Sequence, residues 1–251
     1  MKTAILVDGG FYRRRAQSVF GDKSASERAE ELYDYCKAHL NTHGQHSDLY
    51  RIFYYDCPPS DKRIYHPFIK AQVDLGKTDL YKWTIDFFNA LKRKRKFAIR
   101  LGKLADEQAH YTIKSNVVRQ LCNGKVAFSD IKETDFCLEM DQKGVDMKIG
   151  LDIASLAYKQ QVDQIILISG DSDFVSAAKL ARREGIDFIL DPLGAHIKPD
   201  LFEHIDGLRT CDKAYLSKTE ELKTISYEKV LKELNITQDE IDAIEDVEFE
   251  D

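Results

Sequence analysis

The chain has 251 residues, 43% of them hydrophobic, which suits one α/β domain or one domain with a small appendage. No stretch approaches the ~20 apolar residues of a membrane-spanning helix, which excludes one, and the five cysteines are scattered without a CxxC pair, which favours a cytoplasmic location with free thiols over a disulfide framework. The net charge of −6 is unevenly spread: residues 239–251 hold eight acids and no base, and without them it becomes +2, with basic clusters at Arg13-Arg14-Arg15, Lys92–Lys96 and Arg182-Arg183, so a polyanionic partner is not excluded.

Thr3–Val7 is an apolar strand ending in Asp8-Gly9-Gly10. It meets Asp8 at once and lacks a cleavage-type region, so it reads as a strand and not as a signal peptide. Phe11 to about Phe20 continues as a helix with an arginine-rich face. Ser24–Leu40 predicts a second helix, with Ser24 as N-cap and Glu27 three residues on, a capping-box pattern. Leu49–Tyr55 is a β-rich second strand closed by Asp56-Cys57-Pro58-Pro59. Thr78–Lys92 predicts a helix whose Trp83, Phe87 and Phe88 belong to the core. Phe97–Leu101 is a third strand, and Lys125–Phe128 reads as a short strand within an irregular section.

A helix is expected from Val145 to Lys159. Gln164–Ser169 has no polar alternation, so it predicts a strand buried on both faces of a parallel sheet. Its turn, Gly170-Asp171-Ser172-Asp173, leads into a helix over Asp173–Glu184, with Asp173 well placed as the N-cap. Asp187–Leu190 is a further strand, Lys198–Ile205 a short helical segment and Tyr227–Leu234 a last helix. The pattern divides the chain into a domain over 1–210, a partly helical extension over 211–238 and an acidic tail over 239–251 whose charge opposes packing. Strands alternating with helices give an α/β class: a Rossmann-like, mostly parallel sheet flanked by helices, with right-handed crossovers. The alternation does not specify strand order.

In a parallel sheet every strand's carboxyl end lies on one side, where open α/β folds place their sites. Asp8 and Asp171 therefore share an edge, with Asp173 beside them. The helix that feeds Gln164–Ser169 runs antiparallel to that strand, so its N-terminus, carrying Asp146, returns to the same edge. Converging carboxylates repel unless a cation joins them, and hard oxygen donors with open positions suit Mg²⁺ or Mn²⁺. Such an ion supports hydrolysis of phosphodiesters. Lys143, just before Asp146, is the cation expected nearest to a substrate phosphate. Asp152 lies six residues beyond Asp146, roughly 9 Å along the helix, and is expected either to support the acids from behind or to play a structural part, such as a buried hydrogen bond.

VDGG at Val7–Gly10, YYD at Tyr54–Asp56, RLGKL at Arg100–Leu104, KGVDMKIGLDI at Lys143–Ile153 and SGDSDF at Ser169–Phe174 follow the order of the NYN domain. The chain resembles that family of PIN-like nucleases over about Met1–Leu208, and is most similar to its LabA-like (DUF88) branch. The resemblance implies a PIN-like fold with an Mg²⁺ or Mn²⁺ site acting on RNA. It places the acidic ligands on Asp8, Asp146, Asp171 and Asp173, and matches Ser169 to the small polar residue before the acid. Ser169 and Ser172 are then expected near substrate with Lys143. One position departs: many relatives carry Asn three residues after the first Asp, and here that residue is Phe11.

A metal-dependent ribonuclease is thus the leading expectation. The alternative is a nucleic-acid-binding or regulatory module with little cleavage, motivated by Phe11 and the acidic tail. A phosphohydrolase of small phosphoesters is a third reading, against which Gly10 stands where a DxD pair would need an acid. Asp56 is read as a strand terminator. His39, His43 and His46 near Cys36 lack a second ligand pair for zinc. A homodimer is compatible with the chain, which carries no signal for it.

Overall fold

The computed structural model describes residues 1–42 and 45–211. The expected helix at 227–234 and the acidic tail lie outside the described residues. Six strands form the central sheet: β1 (Lys2–Asp8), β2 (Asp48–Asp56), β3 (Phe97–Leu101), β4 (Gln164–Ile168), β5 (Asp187–Asp191) and β6 (Gly207–Leu208). Their spatial order is β6-β5-β4-β1-β2-β3, and every neighbouring pair is parallel. This is the doubly wound order in which the chain reverses direction across the sheet between β1 and β4.

Both faces of the sheet are covered, which explains the uninterrupted apolar runs of β1 and β4. Ile5, Val7, Ile52, Tyr54, Ile166 and Ile168 point to one core, packed by helices α1 (Gly9–Phe20), α2 (Ala25–Ala38) and α3 (Asp79–Lys92). Ala4, Leu6, Phe53, Tyr55, Ile165 and Leu167 point to the other, covered by helices over Val145–Tyr158 and Val175–Arg183. Trp83 stacks on Phe87 with 5.0 Å between ring centroids, so the expected aromatic stripe of α3 is packed against the core.

Local signals set the helix starts. The Ser24 side chain accepts from the Glu27 amide while the Glu27 carboxylate accepts from the Ser24 amide, closing the capping box. Thr78 caps α3 by a single bond, its hydroxyl oxygen accepting from the Tyr81 amide.

The sequence misplaced three features. Lys125–Phe128 is not a strand: the chain turns at Gly124, with φ of 67°, and Phe128–Asp130 is a single 3-10 turn held by the Asp130 carboxylate on the Ala127 amide. The section around it, helix α4 (Ser115–Cys122) included, is more regular than expected. His110–Ile113 pairs antiparallel with Phe136–Glu139 across that section, and a hairpin joins Arg63–His66 to Ala71–Asp74. The two small sheets meet through the His66 and Tyr111 rings, whose centroids are 4.1 Å apart. The third concerns the turn after β4. A 3-10 turn over Ser172–Phe174 precedes the helix, and its cap is Asp171 and not Asp173: the Asp171 carboxylate accepts from the Asp173 amide at 3.1 Å.

Candidate active site

β1 and β4 lie side by side, with Val7 opposite Ile168, so Asp8 and the turn after β4 meet at the carboxyl edge of the sheet. Asp8 caps α1: its Oδ1 accepts from the Phe11 amide at 3.1 Å. Its Oδ2 accepts from the Ser169 hydroxyl at 3.2 Å. The same Ser169 oxygen accepts from the Asp171 amide at 3.3 Å. Ser169 is fully buried, so the hydroxyl expected near substrate instead braces two carboxylate-bearing segments.

The helix Val145–Tyr158, α5, delivers Asp146 in its first turn. It starts at Gly144, whose φ of 79° lies in the left-handed region that only glycine adopts readily. Along α5, Asp152 accepts from the Tyr55 hydroxyl at 2.8 Å and pairs with Arg100 at 3.2 Å. Asp152 therefore ties the helix to β2 and β3, the structural part expected of it.

The charges of the acids reach one another through Asp146. The Asp8 carboxyl titrates above its ordinary range, first because it is buried and also because Asp146 is near; the Phe11 and Ser169 hydrogen bonds oppose the shift. Asp146 is raised too, first by desolvation and then by Asp171 and Asp173. Asp146 thus stands within electrostatic reach of Asp8 on one side and of Asp171 and Asp173 on the other. Among the described residues, no three His, Cys, Asp or Glu side chains are gathered into a ready-made metal cage. The donor chemistry still fits a hard divalent ion, because Mg²⁺ keeps several waters and binds through one or two carboxylates. Asp8, Asp146, Asp171 and Asp173 offer oxygen donors only, and their mutual repulsion is what a cation relieves.

Around the acids, Ser172 accepts from Lys198 Nζ at 3.2 Å, a cation that the sequence did not single out. Lys143 is exposed on the two-residue strand Gln142–Lys143 that leads into α5. Phe11 packs over Gly170, where an added Cβ would stand 2.6 Å from the ring. Asp56, read as a terminator, is fully buried and accepts from the Tyr54 hydroxyl, the Cys57 amide and Arg13. Both Tyr54 and Tyr55 are buried, so neither faces a substrate. His39 pairs with the buried Asp191 at 2.8 Å, and His46 with Asn41, while His43 lies outside the described residues.

No curated protein matches the chain. Among solved structures, a protein of unknown function from Vibrio parahaemolyticus is 15% identical with a TM-score of 0.44, over 85% of this chain and 94% of that one. A structure described under the mechanism and regulation of Sir2 enzymes is 12% identical with a TM-score of 0.30, over 90% and 93%. Neither likeness carries a functional argument. The family model of the NYN domain matches residues 2–196, more than three quarters of the chain. The chain belongs to the NYN domain family, whose members are PIN-like nucleases.

Proposed function

We propose that this protein is a metal-dependent ribonuclease of the LabA-like branch, hydrolysing RNA phosphodiester bonds with Mg²⁺ or Mn²⁺ held by Asp8, Asp146, Asp171 and Asp173. The observation that carries this reading is the junction of Asp8 and the Asp171 turn through Ser169 at the switch point of the sheet, with Asp146 close enough to Asp8, Asp171 and Asp173 to feel their charge. When bound, the ion supplies stabilisation of charge on the scissile phosphate and activation of water. Asp8 is held in one orientation by the Phe11 amide and the Ser169 hydroxyl. Ser169 couples Asp8 to the Asp171 turn, so the two carboxylates keep a constant relation. Asp173 completes the acidic set or orients the attacking water, and Lys143 holds an RNA phosphate at the rim.

One observation favours a second reading, an RNA-binding module with little cleavage. Phe11 places an apolar ring against Gly170 beside the acids, where many relatives have a polar amide. A single assay separates the two. Purified protein is incubated with single-stranded and structured RNA in Mn²⁺, Mg²⁺ or EDTA, beside Asp171→Asn. Cleavage that requires the metal and is lost in the variant is the expected result. Cleavage that survives both EDTA and the substitution sinks the metal-nuclease reading. Retention of RNA without cleavage in any metal supports the binding module.

A further inference from the structure

The register of the sheet sets the loop after β5 beside the turn after β4, because Asp191 stands opposite Ile168. That loop runs from Pro192 to Lys198, whose carbonyl accepts from the Leu201 and Phe202 amides at 3.1 and 3.2 Å and so starts the short helix Pro199–Phe202. Leu201 is fully buried in the core that α5 covers, and Ile197 packs against the same core. These apolar neighbours fix the backbone of Lys198 while Lys198 itself stays exposed. From there the ammonium reaches back 26 residues, donating from Nζ to the Ser172 hydroxyl at 3.2 Å. Ser172 is the residue between Asp171 and Asp173, both of which are exposed.

Two other cations toward this end of the sheet are spent within the fold. Arg13 is bound to the buried Asp56, and Arg15 donates to the Leu193 carbonyl. Lys198 differs, because its partner is neutral and it enters no ion pair among the described residues. A hydroxyl directs the ammonium without cancelling its charge, and a single bond leaves the remaining Nζ donors open. Four carboxylates outnumber the charge of one divalent ion, so a loaded centre repels a phosphodiester anion unless a further cation faces it. Lysine serves phosphate as a compact point charge. Such a charge, held in place beforehand, is worth most where negative charge develops in the transition state.

Resting on the ribonuclease reading above, we propose that Lys198 is a catalytic residue of this site, its ammonium bonding a non-bridging oxygen of the scissile RNA phosphate. Ser172 is the positioning residue that holds Lys198 over the turn carrying Asp171 and Asp173. Lys198 supplies a hydrogen bond and a charge and transfers no proton. Ser172 acts on RNA through Lys198 and not by its own contact.

Initial rates of cleavage of a labelled oligouridylate in Mn²⁺ give kcat and KM for the full chain and its variants. Lys198→Gln is expected to lower kcat about a hundredfold with KM little changed. Lys198→Arg keeps a charge and donors and is expected to recover most of the loss. Ser172→Ala is expected to lower kcat about fivefold, and to have no further effect once Lys198 is replaced. Lys159→Gln removes the same charge at the far end of α5 and is the control. Lys198 is exposed, so its substitutions leave the core intact, which melting curves check. Binding is read separately by fluorescence anisotropy in an Asp146→Asn background, so that the strand is not cut. There Lys198→Gln is expected to lower the salt slope by roughly 0.7, one phosphate contact on a single strand. An unchanged slope, or cleavage equal to that of the Lys159→Gln protein, overturns the assignment and leaves the nuclease reading standing. A raised KM at unchanged kcat moves Lys198 to a flanking phosphate and also overturns it. An unsubstituted chain that cuts no RNA in any metal overturns the nuclease reading and this role with it.

Discussion

The Ser169 hydroxyl donates to Asp8 Oδ2 at 3.2 Å although 161 residues separate the two in the chain. The bond crosses from the end of β4 to the end of β1, and the same oxygen takes the Asp171 amide. Ser169→Ala removes a hydrogen bond to a charged acceptor and leaves a backbone donor without its partner. A loss of ~1–2 kcal/mol is expected, read as a lower urea midpoint at unchanged slope. RNA cleavage is expected to fall about tenfold, equivalent to 1.36 kcal/mol of barrier. Wild-type cleavage by this variant would remove the bracing role.

Asp146 makes a prediction about pH. Its folded-state pKa is raised above the ordinary 3.8 by desolvation and by Asp171 and Asp173. The folded protein therefore holds this proton more tightly than the unfolded chain, and stability is lost as pH rises through the folded pKa. Asp146→Asn does not titrate. In EDTA the variant should melt above the wild type at neutral pH, with an advantage that shrinks as the medium is acidified toward 3.8. Added Mn²⁺ should raise the wild-type melting temperature more than that of the variant. A variant that melts below the wild type at neutral pH in EDTA contradicts the repulsion.

Gly170 and Phe11 form a tight contact that the two residues share. Gly170→Ala drives a methyl group to 2.6 Å from the Phe11 ring, and overpacking of this kind costs roughly 1–3 kcal/mol. In the Phe11→Ala background the same substitution should cost little. A double-mutant cycle on melting data measures the coupling, expected at about 1 kcal/mol or more. Additive effects would mean that the ring moves aside freely.

Asp56 holds no solvent-facing surface, and three donors converge on it. Asp56→Ala leaves Arg13 and the Tyr54 hydroxyl without their acceptor. A loss of about 3 kcal/mol is expected, toward the low end for a broken buried pair because Arg13 keeps some solvent. Chemical denaturation measures it, and Asp56→Asn should recover part of the loss through its amide oxygen. A change below about 1 kcal/mol, the value of a surface pair, would show that the pair is worth little.

Much of the site could be read before folding was considered. An apolar run that ends abruptly in an acid marks a strand terminus, which located Asp8 and Asp171. Ser24 and Glu27 announced a helix start through chemistry contained within four residues. The small antiparallel pairs were harder, because Arg63–His66 and Ala71–Asp74 are only four residues each, so two-residue periodicity has little length in which to show.

The sequence by itself determined strands β1 to β5 and the helices that flank them, and placed the acids at strand ends and at the start of a returning helix. Those properties depend on burial and on caps, which are written in neighbouring residues. Only the tertiary structure decided that β4 lies against β1, that Ser169 bridges Asp8 and Asp171, and that Arg13 is held by the buried Asp56. Hydrophobic periodicity says how deeply a strand is buried and is silent about its neighbour. The neighbour follows from how the two halves of the sheet pack, and the functional relations among residues far apart in the chain follow from the neighbour.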